Sequence, residues 1–167
     1  ATCESVPAVI PGLGPTSGTI GLDVELDAFL PAHAEHLRAC GVEPVLSLVS
    51  TGNPHLVLWA SDLDGIALHT VGPRLEHHPW FPERINAHFV CVEAPDRVSM
   101  LTWERGSGPT MACGTGASAV CFAGAREGRT NAAITARLPG GLLDLTYDAK
   151  REHVSMRGPA VEVYNGE

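Results

Sequence analysis

The segment with the clearest chemical potential is the run Glu104–Val120, in which one cysteine, Cys113, is followed by Gly-Thr-Gly. No charged side chain occurs from Met111 to Ala125, and this stretch predicts a helix that begins directly after the cysteine. A thiol at a helix start lies at the positive end of the helix dipole, which favours the thiolate. The spacing therefore predicts a reactive sulfur rather than an inert one.

The same helix start predicts a binding site for an anion. Backbone N–H groups in the first turn of a helix have no partner within the helix, and they bind carboxylates and phosphates. The residues that would expose them are Gly114, Thr115, Gly116 and Ser118. Cys113 therefore stands within one helical turn of a potential carboxylate site.

The other cysteines, Cys3, Cys40, Cys91 and Cys121, lack this combination of neighbours. Free cysteine is usually buried as a small hydrophobic residue, which is also the alternative for Cys113. Cys91 lies in an apolar, strand-like run and Cys121 lies within the helix, so we expect both in the core. Five cysteines with no Cys-x-x-Cys pair favour a reducing cytoplasm over a disulfide scaffold or a zinc site.

Composition excludes several classes of protein. The 167-residue chain is 44% apolar and 18% charged, which is typical of one globular domain with a hydrophobic core. Its formal net charge of −8 argues against nucleic acid or an anionic membrane as the main partner. The apolar run after Cys113 is too short to span a bilayer. Residues 1–15 lack the features of a signal peptide, so we expect a cytoplasmic location.

Helix signals are few. Residues 1–20 are rich in Pro, Gly, Ser and Thr and indicate a loop. Residues 21–39 indicate a helix that is interrupted near Pro31 and stops at Gly41. A further helix is expected to start at residues 61–64 and to end before Pro79.

Short strand patterns dominate the rest of the chain. Strands are predicted at 45–49, 56–60, 87–92, 97–103, 132–138, 142–147, 153–156 and 160–164. The helix after Cys113 is apolar on every side, and such a helix must be buried all round. We therefore predict a mixed α/β (α+β) fold in which a curled sheet wraps around this central helix.

Five further motifs occur in order along the chain: Ser50–His55, Gly72–Phe81, Arg84–Val90, Pro139–Gly141 and Gly158–Val161. Together with Glu104–Val120 they resemble the diaminopimelate epimerase family, over a stretch from about Val45 to Gly166. Several ordered motifs are far more specific than one short pattern. Residues 43–167 match the carboxy-terminal domain of that family, whereas residues 1–42 match poorly and are interpreted as a lead-in.

The resemblance implies a fold of two pseudo-symmetric halves, each an antiparallel barrel-like sheet around a central helix, with the active site in the cleft between them. The family interconverts LL- and meso-diaminopimelate in lysine biosynthesis and uses no cofactor. One cysteine removes the α-proton and another donates a proton to the opposite face. Cys113 matches the second of these cysteines.

The resemblance also implies roles around Cys113. Glu104 and His55 would share the catalytic centre with Cys113. The backbone N–H groups of Gly114 and Thr115 would hold the reacting carboxylate, because they can take up charge as it becomes enolate-like.

Other matched residues would bind the rest of the substrate. Arg105 would pair with the carboxylate of the distal amino acid head, since a guanidinium suits bidentate contact. Asn53, Asn86 and Glu104 would contact polar groups of the substrate, and Tyr164 would lie at a homodimer interface. Each has a structural alternative: a turn residue for Asn53, a backbone partner for Asn86, a solvated Glu104–Arg105 pair, a structural His55 and an edge-strand Tyr164.

One family motif is absent. The first catalytic cysteine of the family follows Gly-Asn-Gly and Arg, and Cys3 has none of these surroundings. We therefore expect a carboxy-terminal fragment, without the amino-terminal catalytic half, that exchanges a proton on one face but does not invert the centre alone. The alternatives are another amino acid racemase or epimerase with its other half on a separate chain, and a non-catalytic binding module. The adjacent His77 and His78 lack zinc-like spacing, so no metal is expected.

Overall fold

The computed structural model describes residues 9–10, 14–15 and 21–160. The helices are α1 (Leu26–Phe29), α2 (Ala34–Ala39), α3 (Leu68–Glu76) and α4 (Gly114–Arg126). The strands are β1 (Val9–Ile10), β2 (Gly14–Pro15), β3 (Leu22–Asp23), β4 (Val45–Ser50), β5 (Pro54–Trp59), β6 (Asn86–Ala94), β7 (Arg97–Glu104), β8 (Gly108–Pro109), β9 (Ala133–Leu138), β10 (Gly141–Asp148) and β11 (His153–Arg157).

One large sheet organises the molecule. Its order is β11-β10-β9-β7-β6-β5-β4-β3, with β8 paired to the end of β7, while β1 and β2 form a separate antiparallel pair. Most neighbours are antiparallel, whereas β5–β6 and β7–β9 are parallel. A parallel pair needs a crossover connection, and α3 and α4 supply these two crossovers. The large sheet with few helices confirms the predicted mixed α/β class.

The central helix is α4, and the sheet curls around it. It contacts β4, β5, β6, β9, β10 and β11. Its residues Ala117, Val120 and Ala123 are completely buried, because their small side chains let the strands approach on several sides. The predicted burial of this helix is confirmed.

The other face of the sheet is covered by α1, α2 and α3. The alternation along β5 shows the two faces: Leu56 and Leu58 pack in the cluster beneath these helices, whereas Val57 and Trp59 pack in the cluster around α4. Successive side chains of a strand point to opposite faces. Both faces are therefore buried, which explains why this strand is almost continuously apolar.

Residues 21–42 pack into this same core. Leu22 of β3 pairs with Leu46 of β4, and α1 and α2 are separated by a turn that contains Pro31. Gly41 follows α2 with a φ of 63°, a conformation that favours glycine. The predicted interruption near Pro31 and the stop at Gly41 are confirmed. The predicted start of the helix at residue 21 is wrong, since residues 22–23 form β3 and the first helix begins at Leu26.

Four further predictions from the sequence differ in their outcome. The helix expected from residues 61–64 begins only at Leu68, because the Asp62 carboxylate accepts the N–H of Gly65 and makes a turn there. The expected core position of Cys91 is wrong, since this residue of β6 is half-buried, whereas Cys121 is buried as expected. Of the strand predicted at 160–164, residues 161–164, with Tyr164, lie outside the described residues. No helix within the described ranges is long and apolar enough to cross a bilayer.

Candidate active site

Cys113 caps the central helix with its own side chain. Its backbone is extended, with φ −139° and ψ 101°, and its carbonyl accepts the first helical hydrogen bond, from Ala117 N–H at 2.9 Å. Its sulfur accepts the N–H of Gly116 at 3.4 Å and lies 3.6 Å from the Thr115 hydroxyl. Residues before a helix adopt this conformation when their side chain binds a first-turn N–H. The predicted helix start after Cys113 is therefore confirmed.

An open groove of about 470 Å³ lies at this helix start. It is lined by Glu104, Ala112, Cys113, Gly114, Thr115, Ser118, Val154 and Met156. Cys113 is 5% exposed, so its sulfur is mostly covered but lines the groove. Within residues 21–160, the N–H groups of Gly114 and Thr115 have no hydrogen-bond acceptor. A thiol and two unpaired N–H groups therefore line the same groove.

The Cys113 thiol has a pKa above its ordinary value. Burial raises this pKa, and the neighbouring Glu104 carboxylate raises it further. The hydrogen bonds from Thr115 and Gly116 lower it, but less than burial raises it. The helix-start contacts thus favour the thiolate as expected, but the loss of solvent around the sulfur outweighs them, so the net shift of the pKa is upward. The resting form near neutral pH is the protonated thiol.

We predict opposite effects on this thiol from two groove residues. Glu104→Gln should lower the pKa of Cys113 because it removes a negative charge, whereas Thr115→Val should raise it because it removes a hydrogen bond to sulfur. The measurement is the pH dependence of alkylation of the Cys113 peptide, followed by mass spectrometry. Inflections that move in the same direction in both variants would contradict the assignment.

The hairpin of β7 and β8 places Glu104 beside the groove. Glu104 is the last residue of β7 and pairs with Gly108 of β8, and its Oε1 accepts the Thr110 hydroxyl at 2.6 Å. The turn between them contains Gly106 with a φ of 81°. Since few residues other than glycine adopt this conformation, the turn is tight and the carboxylate stays close to the groove.

Two buried side chains hold the turn that carries Arg105. The Arg105 N–H donates to Asn86 Oδ1 at 2.9 Å, and the Gly106 N–H donates to Glu76 Oε1 at 3.0 Å. Asn86 Nδ2 donates to the Pro54 carbonyl at 2.8 Å. Both ends of the Asn86 amide therefore bind backbone, and this residue positions the turn that carries Arg105.

Glu76 was not singled out from the sequence. It is 4% exposed, and its carboxylate accepts the Trp103 indole N–H at 2.7 Å in addition to the Gly106 N–H. Burial raises its pKa, but these hydrogen bonds and the nearby His77 and Arg84 lower it more, so it lies below the ordinary value. The signal in the sequence is a carboxylate on the apolar face of a helix, within the motif Gly72–Phe81.

His55 is completely buried beneath the turn at Asn53. Its Nε2 lies 3.0 Å from Asn53 Oδ1 and 3.1 Å from the Thr51 hydroxyl, and its Nδ1 lies 2.9 Å from His88 Nε2. Burial, and then the positive charge of Arg105, lower the pKa of His55 to about 4. The imidazole is therefore neutral near pH 7, and it does not line the groove.

His88 was also missed from the sequence. It faces Thr102 across β6 and β7, with His88 Nδ1 3.0 Å from the Thr102 hydroxyl. A Cβ at Gly116 would lie only 2.7 Å from His88 Nε2, so the ring packs directly against the start of α4. The available signal is the alternation of Asn86 and His88 at the start of a largely apolar strand, which places both on one face.

The predicted site residues thus form two adjoining groups. Cys113, Glu104, Gly114 and Thr115 line the groove, while Asn53, His55, Asn86 and Arg105 are connected by hydrogen bonds and charge.

A family model described as diaminopimelate epimerase matches residues 47–163. The chain belongs to the diaminopimelate epimerase family.

Curated relatives share this family name. A diaminopimelate epimerase from Acaryochloris marina is 42% identical over 160 residues, which cover 96% of this chain and 54% of that protein. One from Moorella thermoacetica is 49% identical over 119 residues, which cover 71% of this chain and 43% of that protein. The chain therefore spans about half the length of the curated relatives it matches.

A solved structure described as a predicted epimerase from Pseudomonas aeruginosa aligns with a TM-score of 0.47 at 16% identity, over 95% of this chain and 62% of that chain.

In the described ranges of the present chain, no group of three or more His, Cys, Asp or Glu side chains could hold a metal ion.

Proposed function

We propose that this chain supplies one acid/base group of a cofactor-independent diaminopimelate epimerase. The observation that carries the proposal is the position of the Cys113 sulfur in an open groove beside the unpaired N–H groups of Gly114 and Thr115. A carboxylate bound to those N–H groups would bring the adjacent α-carbon close to the sulfur. The N–H groups would then stabilise the charge that develops on the carboxylate as the α-proton leaves.

The proton step is reversible. In one direction the thiolate of Cys113 takes the α-proton, the Cα–H bond breaks, and its electron pair passes into the bound carboxylate to form an enediolate. In the other direction the thiol donates its proton to the α-carbon and becomes a thiolate. The raised pKa of Cys113 favours the protonated form at rest, so the thiol is ready to act as the proton donor.

Inversion needs a second acid/base group on the opposite face of the α-carbon. Among the described residues that line the groove, Cys113 is the one thiol. We propose that this chain exchanges the α-hydrogen on one face with retention of configuration, and that inversion requires the second half of the family's two-domain enzyme. The whole enzyme would act in lysine biosynthesis in the cytoplasm as a homodimer that involves Tyr164.

The distal amino acid head of the substrate is assigned to Arg105. Its side chain is exposed, and one guanidinium nitrogen donates to the Glu83 carbonyl at 2.8 Å. A guanidinium has five N–H donors, so the same side chain can also bind a carboxylate. Asn53 and Glu104 would contact the remaining polar groups of the substrate.

Arg105→Ala tests this assignment. Diaminopimelate should bind at least about tenfold more weakly, since a hydrogen bond to a charged group contributes about 1.5–3 kcal/mol. A ligand with one amino acid head, 2-aminoheptanoate, should bind equally well to both proteins. The measurement is the dissociation constant of each ligand by calorimetry, with Arg74→Ala, an exposed arginine on α3, as the control.

Two results would reject the assignments. Equal losses for both ligands in Arg105→Ala would reject Arg105 as the distal contact. Absence of diaminopimelate binding by the parent protein would reject the proposed function.

A further inference from the structure

We infer that His88 and Thr102 are positioning residues: through His55 they orient the Asn53 carboxamide so that its NH₂ group is presented to the substrate. The inference rests on the proposed function in one respect, the contact of Asn53 with the ligand. His88 and Thr102 lie outside the groove and outside every role assigned above.

The four side chains form one continuous chain of hydrogen bonds. Thr102 Oγ1 lies 3.0 Å from His88 Nδ1, His88 Nε2 lies 2.9 Å from His55 Nδ1, and His55 Nε2 lies 3.0 Å from Asn53 Oδ1. The two imidazoles are completely buried, and Thr102 is 2% exposed, whereas Asn53 is half-buried. Burial disfavours the charged form and lowers the pKa of both histidines, so both rings are neutral near pH 7.

The direction of the chain follows from Asn53. Its carbonyl oxygen can only accept, and it receives the Thr51 hydroxyl at 3.3 Å as well as facing His55 Nε2. The Thr51 hydroxyl also lies 3.1 Å from His55 Nε2, and because it donates to Asn53 Oδ1 it accepts from His55. With Asn53 Oδ1 in this position, His55 Nε2 carries the proton. Because a neutral imidazole has one N–H, His55 Nδ1 must accept, and His88 Nε2 must donate to it.

The other end of the chain agrees with this direction. With its proton on Nε2, His88 has an acceptor at Nδ1, and the Thr102 hydroxyl, which can donate or accept, would donate to it at 3.0 Å. The opposite direction would turn the Asn53 NH₂ group towards His55 and its carbonyl oxygen outward. An outward carbonyl would repel a substrate carboxylate, whereas an outward NH₂ group donates to it.

Packing keeps the chain in place. The His88 ring occupies the space in front of Gly116, whose N–H binds the Cys113 sulfur. The ring therefore has little room to rotate, and the orientation of Asn53 is coupled to the helix start that carries Cys113. Because the chain contacts no reacting atom, loss of one link should weaken ligand binding and leave the α-hydrogen exchange rate at saturating ligand within about threefold of the parent.

The first experiment measures the tautomers without any ligand. In the parent protein labelled with ¹⁵N-histidine, long-range ¹H–¹⁵N spectra at pH 7 should show His55 and His88 as Nε2–H tautomers. An Nδ1–H tautomer at either residue would overturn the inference. Since no ligand is present, this result is independent of the proposed function.

The second experiment compares Thr102→Val with Thr102→Ser. Valine has the shape of threonine but removes the donor to His88, so the His88 tautomer should become mixed. Diaminopimelate should bind up to about fivefold more weakly, because the bond that favours the binding orientation of Asn53 contributes about 1 kcal/mol. Serine keeps the hydroxyl and should restore both properties. Unchanged tautomers and binding in Thr102→Val, or equal defects in both variants, would overturn the inference. If the parent binds no diaminopimelate, the proposed function fails and the tautomers alone decide the inference.

Discussion

Cys113→Ser should abolish the exchange of the α-hydrogen of diaminopimelate with solvent deuterium, with a loss on the order of 10²–10⁴-fold, the usual contribution of a positioned acid/base group. Serine has nearly the size of cysteine and keeps a polar atom at the helix start. Its hydroxyl, however, does not ionise near neutral pH, so it cannot take the α-proton. The measurement is deuterium incorporation, followed by mass spectrometry, with separation of the stereoisomers.

Cys91→Ser is the matched control for this experiment. Cys91 is a free, half-buried cysteine outside the groove, and its replacement should leave exchange unchanged. The product should retain its configuration in the parent protein. Exchange that survives in Cys113→Ser would remove the proposed role of the thiol, and inversion by the parent would refute the expectation that this chain acts on one face.

Acidification from pH 7 to pH 5 should lower the free energy of unfolding by about 2 kcal/mol through His55, since each pKa unit corresponds to about 1.4 kcal/mol. The folded pKa of about 4 lies below the ordinary value of 6.5. In this range the unfolded chain binds the proton and the folded chain does not. The contribution is therefore complete above pH 6.5 and is lost as the pH falls towards 4. His88, whose pKa is also lowered, adds to the loss.

Urea unfolding at pH 7, 6 and 5 measures this loss. The pKa of Glu76 lies below its ordinary value of 4.5, so its contribution is lost only at more acidic pH. In His55→Gln, the free energy of unfolding should fall by about 2 kcal/mol less between pH 7 and pH 5 than in the parent. In the control His153→Gln, which replaces an exposed histidine on β11, it should fall as much as in the parent. An NMR titration in which His55 protonates near pH 6.5 would contradict the prediction even if His55→Gln does not fold.

Local features of the fold were predictable from the sequence. The helix start at Cys113 depends on small residues and a cap within four positions of one another, and the strands depend on short apolar runs. The interruption at Pro31 and the stop at Gly41 depend on backbone conformations intrinsic to those residues. The family motifs along residues 45–166 indicated the same domain to which the family match over residues 47–163 assigns the chain.

The network around the turn at Arg105 was not predictable in this way. Glu76 and Asn86 come from different elements, and each resembles an ordinary helix or strand residue in the sequence. Glu76 reaches the turn because the β5–β6 crossover places α3 against β7. The Trp103 indole N–H and the Gly106 N–H can therefore donate to the Glu76 carboxylate. The alternative of a backbone partner for Asn86 matches the contacts of this residue in the structure.

The sequence by itself determined the position of the Cys113 thiol, the helix that begins after it, and the family that the chain resembles. All three depend on the order and spacing of nearby residues. Only the tertiary structure decided the protonation state of Cys113 and the pairing of His55 with His88. Burial and charge are sums over all surrounding atoms. For Cys113 the groove includes Val154 and Met156, which come from a distant part of the chain. Their combined exclusion of water outweighs the local helix-start contacts that the sequence reveals.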